Sequence, residues 1–469
     1  MKKTLYNLIK TGIAVISLAL ALTTSAWAGY VQIYQSDKET KSEGTTQRDK
    51  VMVVVNKGIY NSISDSITTY KNDLEAEEYY VIIATDEETE AETLEQLKTF
   101  IKKYYDGSIT SGLTGVVLVG DLPKGKKMHP FEKLSWGTDD RFYRDMDGDG
   151  GKRDMIWLGR IDVSKLINIG KSESSCLRGY FKRNHNYRIG KADLPRHQGL
   201  AYFNHRKEGR HPSHIDKAYP IITEVKKDFS ANDFKAKLSD VNGYEWVYLE
   251  PTYSNSNQLS FLTTNFFFKE KEGAKITKLS SASFYGDNKI NPKTLFYDLQ
   301  TVYCGLYTSE NYIAGYCVFG NDYGLAAIAS TGGLWAYHRG EFEVLYNKLG
   351  KKGNHQNIGN ALLSQLNKRR NYSWHFLTIL GDPTLTIDPP IADISEPTIS
   401  PEYLVSFNGS GRLNNDTSAT ITGYAWRAKE DKVSFSDSSS SAPTASLSAG
   451  EYTVYFKVKD SYGRWSSEV

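Results

Sequence analysis

Residues 145–154 read Asp-Met-Asp-Gly-Asp-Gly-Gly-Lys-Arg-Asp. Alternate carboxylates on a glycine-rich turn converge on one point, and an all-oxygen ligand set suits a hard cation such as Ca2+. Asp145, Asp147 and Asp149 would be the first ligands. Asp154, at loop position ten, would stand in for the bidentate Glu that an EF-hand carries at position twelve, where this chain has Ile156. A solvated acidic turn is the alternative. The thiols are Cys176, Cys304 and Cys317. A thiol becomes a nucleophile where a neighbouring base or cation lowers its pKa. Three is too few, and too odd a number, for the disulfide framework of a small secreted domain. A Cys304–Cys317 pair with Cys176 left over, or three free thiols, both remain open. Ser280, Ser281 and Ser283 lie in no Gly-x-Ser-x-Gly elbow. The chain has no Gly-rich phosphate loop ending in Lys-Ser or Lys-Thr, no Cys-x-x-Cys and no His-Glu-x-x-His, so no organic cofactor is expected.

The elements that must carry these residues alternate. Val51–Val55, Tyr79–Ala84 and Gly115–Val119 are short apolar runs rich in β-branched residues, separated by amphipathic stretches over Tyr60–Glu75 and Glu90–Tyr105. Continuous apolar strands between helices predict a parallel sheet covered on both faces. A further strand, Met155–Leu158, follows the aspartate loop. A second series begins near Gln198, with strands expected at Leu200–Phe203, Trp246–Leu249, Ile276–Ser283, Leu299–Tyr303 and Gly324–Ala329. Its helices are expected at Ile215–Asp228, Glu341–Leu349 and Ile358–Lys368. The segment from Phe181 to His214, which joins the two series and is rich in His, reads as a solvated connection.

The 469 residues allow about three structural units at roughly 150 residues each. Lys plus Arg of 57 against Asp plus Glu of 55 gives +2, which supplies no electrostatic reason to expect nucleic acid as a partner. The first 28 residues run from Lys2, Lys3 and Lys10 through an apolar stretch, Gly12–Leu22, to Ala26-Trp27-Ala28. That succession is a secretory signal peptide cleaved after Ala28. Its apolar stretch is about half what a membrane span needs. The expectation is a secreted or periplasmic protein with no membrane span.

Val117-Leu-Val-Gly-Asp-Leu-Pro123, Asp139–Tyr143 with the aspartate loop, and Leu158-Gly-Arg-Ile161 resemble the N-terminal half of the gingipain-type cysteine peptidases. Tyr323-Gly-Leu-Ala-Ala327 and Leu380-Gly-Asp-Pro-Thr-Leu385 are similar to segments of that family's second half. The resemblance spans roughly residues 50–388. It implies two caspase-like subdomains, the second bearing a His-Cys dyad at adjacent strand ends, and a polypeptide substrate. The strand matched to the family's His, Ile276–Phe284, contains no His, and none occurs between His214 and His338. In the strand matched to the nucleophile, Val302 stands where the family has Cys, and Cys304 follows two residues later. Cys304 with His338 is the dyad that would remain. It inverts the family's chain order, and a buried Cys304 beside a surface His338 is the competing reading.

After Asp388, Pro389, Pro390, Pro397 and Pro401 space out an extended segment, and the chain becomes rich in Ser and Thr with alternating strands at Thr420–Trp426 and Tyr452–Val458. Residues 399–469 resemble the immunoglobulin-like modules of polycystic-kidney-disease type that follow many secreted bacterial enzymes, with Trp426 as the inter-sheet aromatic. The expected class is α/β: a signal peptide at 1–28, a polar segment at 29–50, and caspase-like subdomains with mostly parallel sheets at 51–190 and 191–388. A linker at 389–398 and an all-β immunoglobulin-like sandwich at 399–469 complete the chain. The expected function is that of a peptidase homologue with a degenerate dyad that binds polypeptides. The alternatives are an active peptidase built on Cys304, or a calcium-stabilised protein that binds a cell-surface or matrix component through the sandwich.

Overall fold

The computed structural model describes residues 30–35, 49–86, 93–105, 112–128, 137–148, 155–195, 197–203, 222–226, 230–251, 253–262, 276–285, 289–332, 342–350, 353–368, 376–400, 403–413, 419–430 and 432–469. Strand β1 (Tyr30–Gln35) pairs antiparallel with β3 at one edge of the main sheet. β2 (Lys50–Val55), β3 (Tyr80–Asp86) and β4 (Leu113–Val119) are mutually parallel, with β2 in the middle. Helix α1 (Lys57–Ala76) connects β2 to β3, and α2 (Leu94–Tyr105) connects β3 to β4. The Asn56 side chain caps α1 by accepting from Gly58 N at 2.9 Å. Ile59, Ile63, Ile67, Tyr70 and Leu74 then recur at three and four residues and are buried against the sheet.

A small ribbon, β5 (Lys126–Met128) with β6 (Gly137–Asp139), and the short α3 (Arg141–Arg144) precede β7 (Trp157–Ile161), which lies parallel to β4. Helix α4 (Glu173–Arg188) leads to the second series. This comprises β8 (Gly199–Phe203), β9 (Ile222–Lys226), α5 (Ala231–Leu238) and β10 (Tyr244–Glu250), then β11 (Tyr253–Asn255), β12 (Gln258–Leu262) and β13 (Ile276–Ser280). β14 (Thr294–Leu299), α6 (Ile313–Phe319), β15 (Ala326–Ser330), α7 (Glu343–Leu349), α8 (Ile358–Lys368) and β16 (Leu377–Gly381) follow.

The two series share one sheet. Its eleven strands run β1-β3-β2-β4-β7-β16-β15-β14-β10-β8-β9, joined where β16 lies parallel to β7 through Ile379↔Gly159 and Leu380↔Arg160. The close approach requires Gly159, because a Cβ there would lie 2.3 Å from Pro383. Alternate strand residues feed opposite faces. Val51, Val53 and Val55 join α1, α4 and α6 in one core that runs under both halves, whereas Met52 and Val54 join α2. Ala326 and Ile328 pack with α7 and α8.

Several expected elements differ. The segment expected to be a solvated connection begins inside α4, where Phe181, Asn184, Tyr187 and Arg188 are buried, and the strand expected at Met155–Leu158 runs over Trp157–Ile161. Ile222–Lys226, placed at the end of a helix by the sequence, is β9: its β-branched residues pair parallel with β8. The strand expected at Leu299–Tyr303 lies earlier, at Thr294–Leu299, and the chain turns where Tyr303 takes φ 58°. β13 belongs to a separate antiparallel sheet with β12 and β11, so the strand beside β14 in the main sheet is β10.

After β16, Pro389 and Pro390 are buried and β17 (Ile391–Ile394) begins. Within the segment expected to be an extended linker, the chain is therefore already packed. β17 pairs with β20 (Gly409–Arg412). β18 (Thr398–Ile399), β19 (Leu404–Ser406) and β22 (Thr444–Ser446) form a second antiparallel sheet, and β21 (Ile421–Ala428) pairs with β23 (Val454–Asp460). Trp426 sits at their centre, its ring 4.3 Å from Phe456 and 5.5 Å from Phe407. This tail docks on the α/β body. Lys457 Nζ donates to Ala76 O at 2.9 Å and pairs with Glu78, and Arg464 Nη1 donates to Ile387 O at 2.9 Å.

Candidate active site

Parallel strands put the ends of β10, β14 and β15 at one edge of the sheet, the edge where ligands of open α/β sheets bind. β10 ends at Glu250 and β14 at Leu299, and Gln300 N donates to Leu249 O at 2.8 Å, which extends the pairing by one residue. The chain then folds against the end of β15. Tyr303 N donates to Gly332 O at 3.0 Å and Gly305 N to Ser330 O at 2.9 Å.

Cys304 lies beneath this edge. It is 0% exposed, with Sγ 3.6 Å from Leu299 O and 3.7 Å from Thr301 O. Burial pushes its thiol up to about 12, against smaller lowering contributions from the backbone of Ser330 and Gly305. Such a thiol is protonated at neutral pH and carries little nucleophilic character. Val302 is half-buried against the cluster that contains Phe296 and Ile328. His338 lies outside the described residues, as does the rest of 333–341. Cys317 and Cys176 are likewise buried, and all three thiols are free.

Of the aspartate loop, Asp145 and Asp147 fall in the described residues, and Asp149 and Asp154 lie outside them. Asp145 Oδ1 accepts from Gly148 N at 2.9 Å, with Gly148 at φ 75°, the tight turn expected from the sequence. Burial, then the hydrogen bond with Asp147, raises the pKa of Asp145 above its ordinary value. Among the described residues no group of three or more His, Cys, Asp or Glu is placed to hold a metal.

Two buried polar networks lie toward this edge and a third, around Asp382, lies at the opposite end of β15, where Gly381 pairs with Ala326; sequence reasoning placed none of them. Asp298, on β14, is fully buried; Tyr346 Oη donates to its Oδ2 at 2.6 Å and Gln300 Nε2 donates to its Oδ1. Burial raises Asp298 to about 7 although both hydrogen bonds lower it. Arg160, on β7, donates to Asp140 from Nη2 at 2.7 Å and from Nε at 3.0 Å. Tyr307 Oη and Thr378 Oγ1, from the second half, donate to the same carboxylate at 2.7 and 3.0 Å. Asp382 accepts from Tyr70 Oη and Asn184 Nδ2, each at 2.8 Å, and from Arg188 Nη2 at 2.7 Å. The Gly-Asp-Pro-Thr segment that carries part of the resemblance is thus a structural anchor, with Thr384 N and Oγ1 also donating to Asp382 at 2.9 and 2.7 Å. A lone acid in the apolar run Leu295-Phe-Tyr-Asp-Leu299 was the available signal for Asp298.

No protein-family profile matches the chain, and no curated protein matches it by sequence. Solved structures do. The chain is similar to the Arg-specific cysteine proteinase gingipain R (RgpB), at 15% identity and a TM-score of 0.55, over 88% of this chain and 95% of that one. It is also similar to the complex of Porphyromonas gingivalis RgpB pro- and mature domains, at 13% identity and a TM-score of 0.53, over 87% of this chain and 96% of that one. At such identity the likeness establishes the fold: a mixed α/β body with a large, mostly parallel sheet of the caspase-like kind found in gingipain R.

Proposed function

We propose that this chain is an exported gingipain-like pseudopeptidase that binds a polypeptide at the β10–β14–β15 edge without cleaving it. The observation that carries the reading is Cys304: a fully buried thiol, pushed up to about 12, whose near neighbours are carbonyl oxygens. Cysteine catalysis needs an accessible thiolate with a base in hydrogen-bond reach. Val302, three residues past the end of β14, offers neither function. The likeness to a cysteine proteinase over most of both chains supports a polypeptide as the ligand. The tail, with antiparallel strands around Trp426, is read as an immunoglobulin-like module of polycystic-kidney-disease type that serves as a docked spacer or a surface-binding unit. Ca2+ at Asp145, Asp147, Asp149 and Asp154 is proposed as a stabilising ion, held by the tight turn at Gly148.

The test is hydrolysis of fluorogenic peptide libraries by the purified protein, run beside iodoacetamide labelling at mild pH. The expected result is no turnover and no native labelling of Cys304, with labelling appearing on addition of denaturant. Turnover that disappears in Cys304→Ala, with selective native labelling at Cys304, would overturn the reading and make His338 the base to mutate.

A further inference from the structure

Asp298 is an unusual group to find under a strand end. It is fully buried, and Tyr346 from α7, Gln300 from its own strand's extension and the Cys304 thiol are the titratable or polar groups that face it. Tyr248 on β10 stands beside Tyr346, and Trp246 on the same strand donates from Nε1 to Tyr346 Oη at 3.0 Å. Among the described residues no Lys, Arg or His bears on the carboxyl. A buried carboxylate without a cation is costly, and such a group meets the cost by holding its proton.

The hydrogen bonds define two states. With the carboxyl ionised, Gln300 Nε2 donates to Oδ1 and Gln300 Oε1 is left buried without a donor. With the carboxyl protonated, the amide turns over, Asp298 Oδ1–H donates to Gln300 Oε1, and no charge is buried. Tyr346 Oη donates to Oδ2 in both states. Gln300 is also the residue whose backbone N–H ties the strand end to β10, and Tyr303 and Gly305 tie the following turn to β15.

We propose that Asp298 is a proton-operated latch: as a neutral acid it holds the Gln300–Gly305 turn closed on the sheet edge, and on losing its proton to solvent it loosens that turn. Where the edge binds a polypeptide, the latch makes that binding pH-dependent; this consequence rests on the function proposed above, and the latch itself does not. The direction follows from burial, which raises Asp298 to about 7, so the closed form gains from acidity, loosens as pH rises from the ordinary carboxylate range toward about 7, and levels off above it.

The experiment is amide hydrogen exchange of the full chain between about pH 5.5 and 8.5, corrected for intrinsic exchange, which reads local opening directly. The amides of Gln300, Tyr303 and Gly305 are expected to lose roughly tenfold in protection across that range in the wild type and to stay level in Asp298→Asn, whose amide copies the neutral acid. Infrared difference spectra over the same range should show loss of a carboxylic-acid carbonyl band that Asp298→Asn lacks. Should Asp298→Asn fail to fold, Tyr346→Phe removes a donor that favours the carboxylate and moves the midpoint to higher pH. Protection that does not change with pH, or changes equally in folded Asp298→Asn, overturns the latch. Peptide hydrolysis by the wild type would overturn the pseudopeptidase reading alone and leave the latch standing.

Discussion

Arg188 Nη2 lies 2.7 Å from Asp382 Oδ2, both side chains are essentially inaccessible, and 194 residues of chain separate them. Arg188 also pairs with Glu77 and donates from Nε to Asn184 Oδ1 at 2.8 Å, so its guanidinium is engaged on several sides. Breaking one buried pair costs about 3–5 kcal/mol where the remaining charge is left alone, and here Glu77 stays as a second partner of Arg188, so that range is an upper bound. Asp382→Asn is therefore expected to lower the unfolding free energy by up to that amount, read as a lower urea midpoint at an unchanged m-value. A loss under about 1 kcal/mol would mean that the anchor is dispensable.

Asp140 gives the fold a pH dependence of definite sign. Burial raises its pKa, but Arg160 beside it, with the hydrogen bonds from Arg160 and Tyr307, outweighs burial and holds it below its ordinary value of 3.8. A carboxylate depressed in the folded state contributes stability that is present above its unfolded pKa and is lost as pH falls through the folded one. Acid unfolding of the wild type should gain a component below about pH 4 that Asp140→Asn lacks, with the variant less stable throughout the neutral range. Superimposable acid limbs for the two proteins would contradict this.

Lys457 fastens the tail to the body. Its ammonium is nearly buried, donates to the carbonyl of Ala76 at the end of α1, and pairs with Glu78. Lys457→Met keeps the aliphatic stem and removes the donor, so the expected loss is about 1–3 kcal/mol. Limited proteolysis should then release the segment beyond residue 390 sooner than in the wild type. Equal cleavage rates would show that burial of Pro389, Pro390 and Ile391 holds the tail without the ion pair.

Calcium has its own signature. Saturating chelator is expected to lower the melting temperature of the wild type and to leave that of Asp147→Asn unmoved, because a ligand that binds only the folded state adds RT ln(1 + [L]/Kd) to stability. A wild-type transition that ignores the chelator removes Asp145, Asp147, Asp149 and Asp154 as ligands.

Local pattern made the body legible. The runs Val51–Val55 and Gly115–Val119 are continuous because both faces of their strands are covered, and continuity is visible in one sequence. The union of both halves in one sheet was not, since Gly159 and Ile379 meet across long chain separation and neither advertises its partner. The strand expected at Ile276–Ser283 is a strand over Ile276–Ser280 and gives way to a 3-10 turn at Ser281–Phe284, and strand propensity does not say which sheet it joins. At the edge, Val302 and the lack of a nearby His were readable, whereas the depth of Cys304 depended on Tyr303 turning the chain inward at φ 58°.

The exchange of buried charges between the halves has a temporal consequence. Asp382, which satisfies Arg188, Asn184 and Tyr70, is made after all of them. At about 5–20 residues per second, Arg188 is made roughly 10–40 s before Asp382, and until then Glu77 is the carboxylate it has to pair with. The buried network under α4 is therefore completed only after the second half has been made, because Asp382 and Thr384 supply its last acceptors.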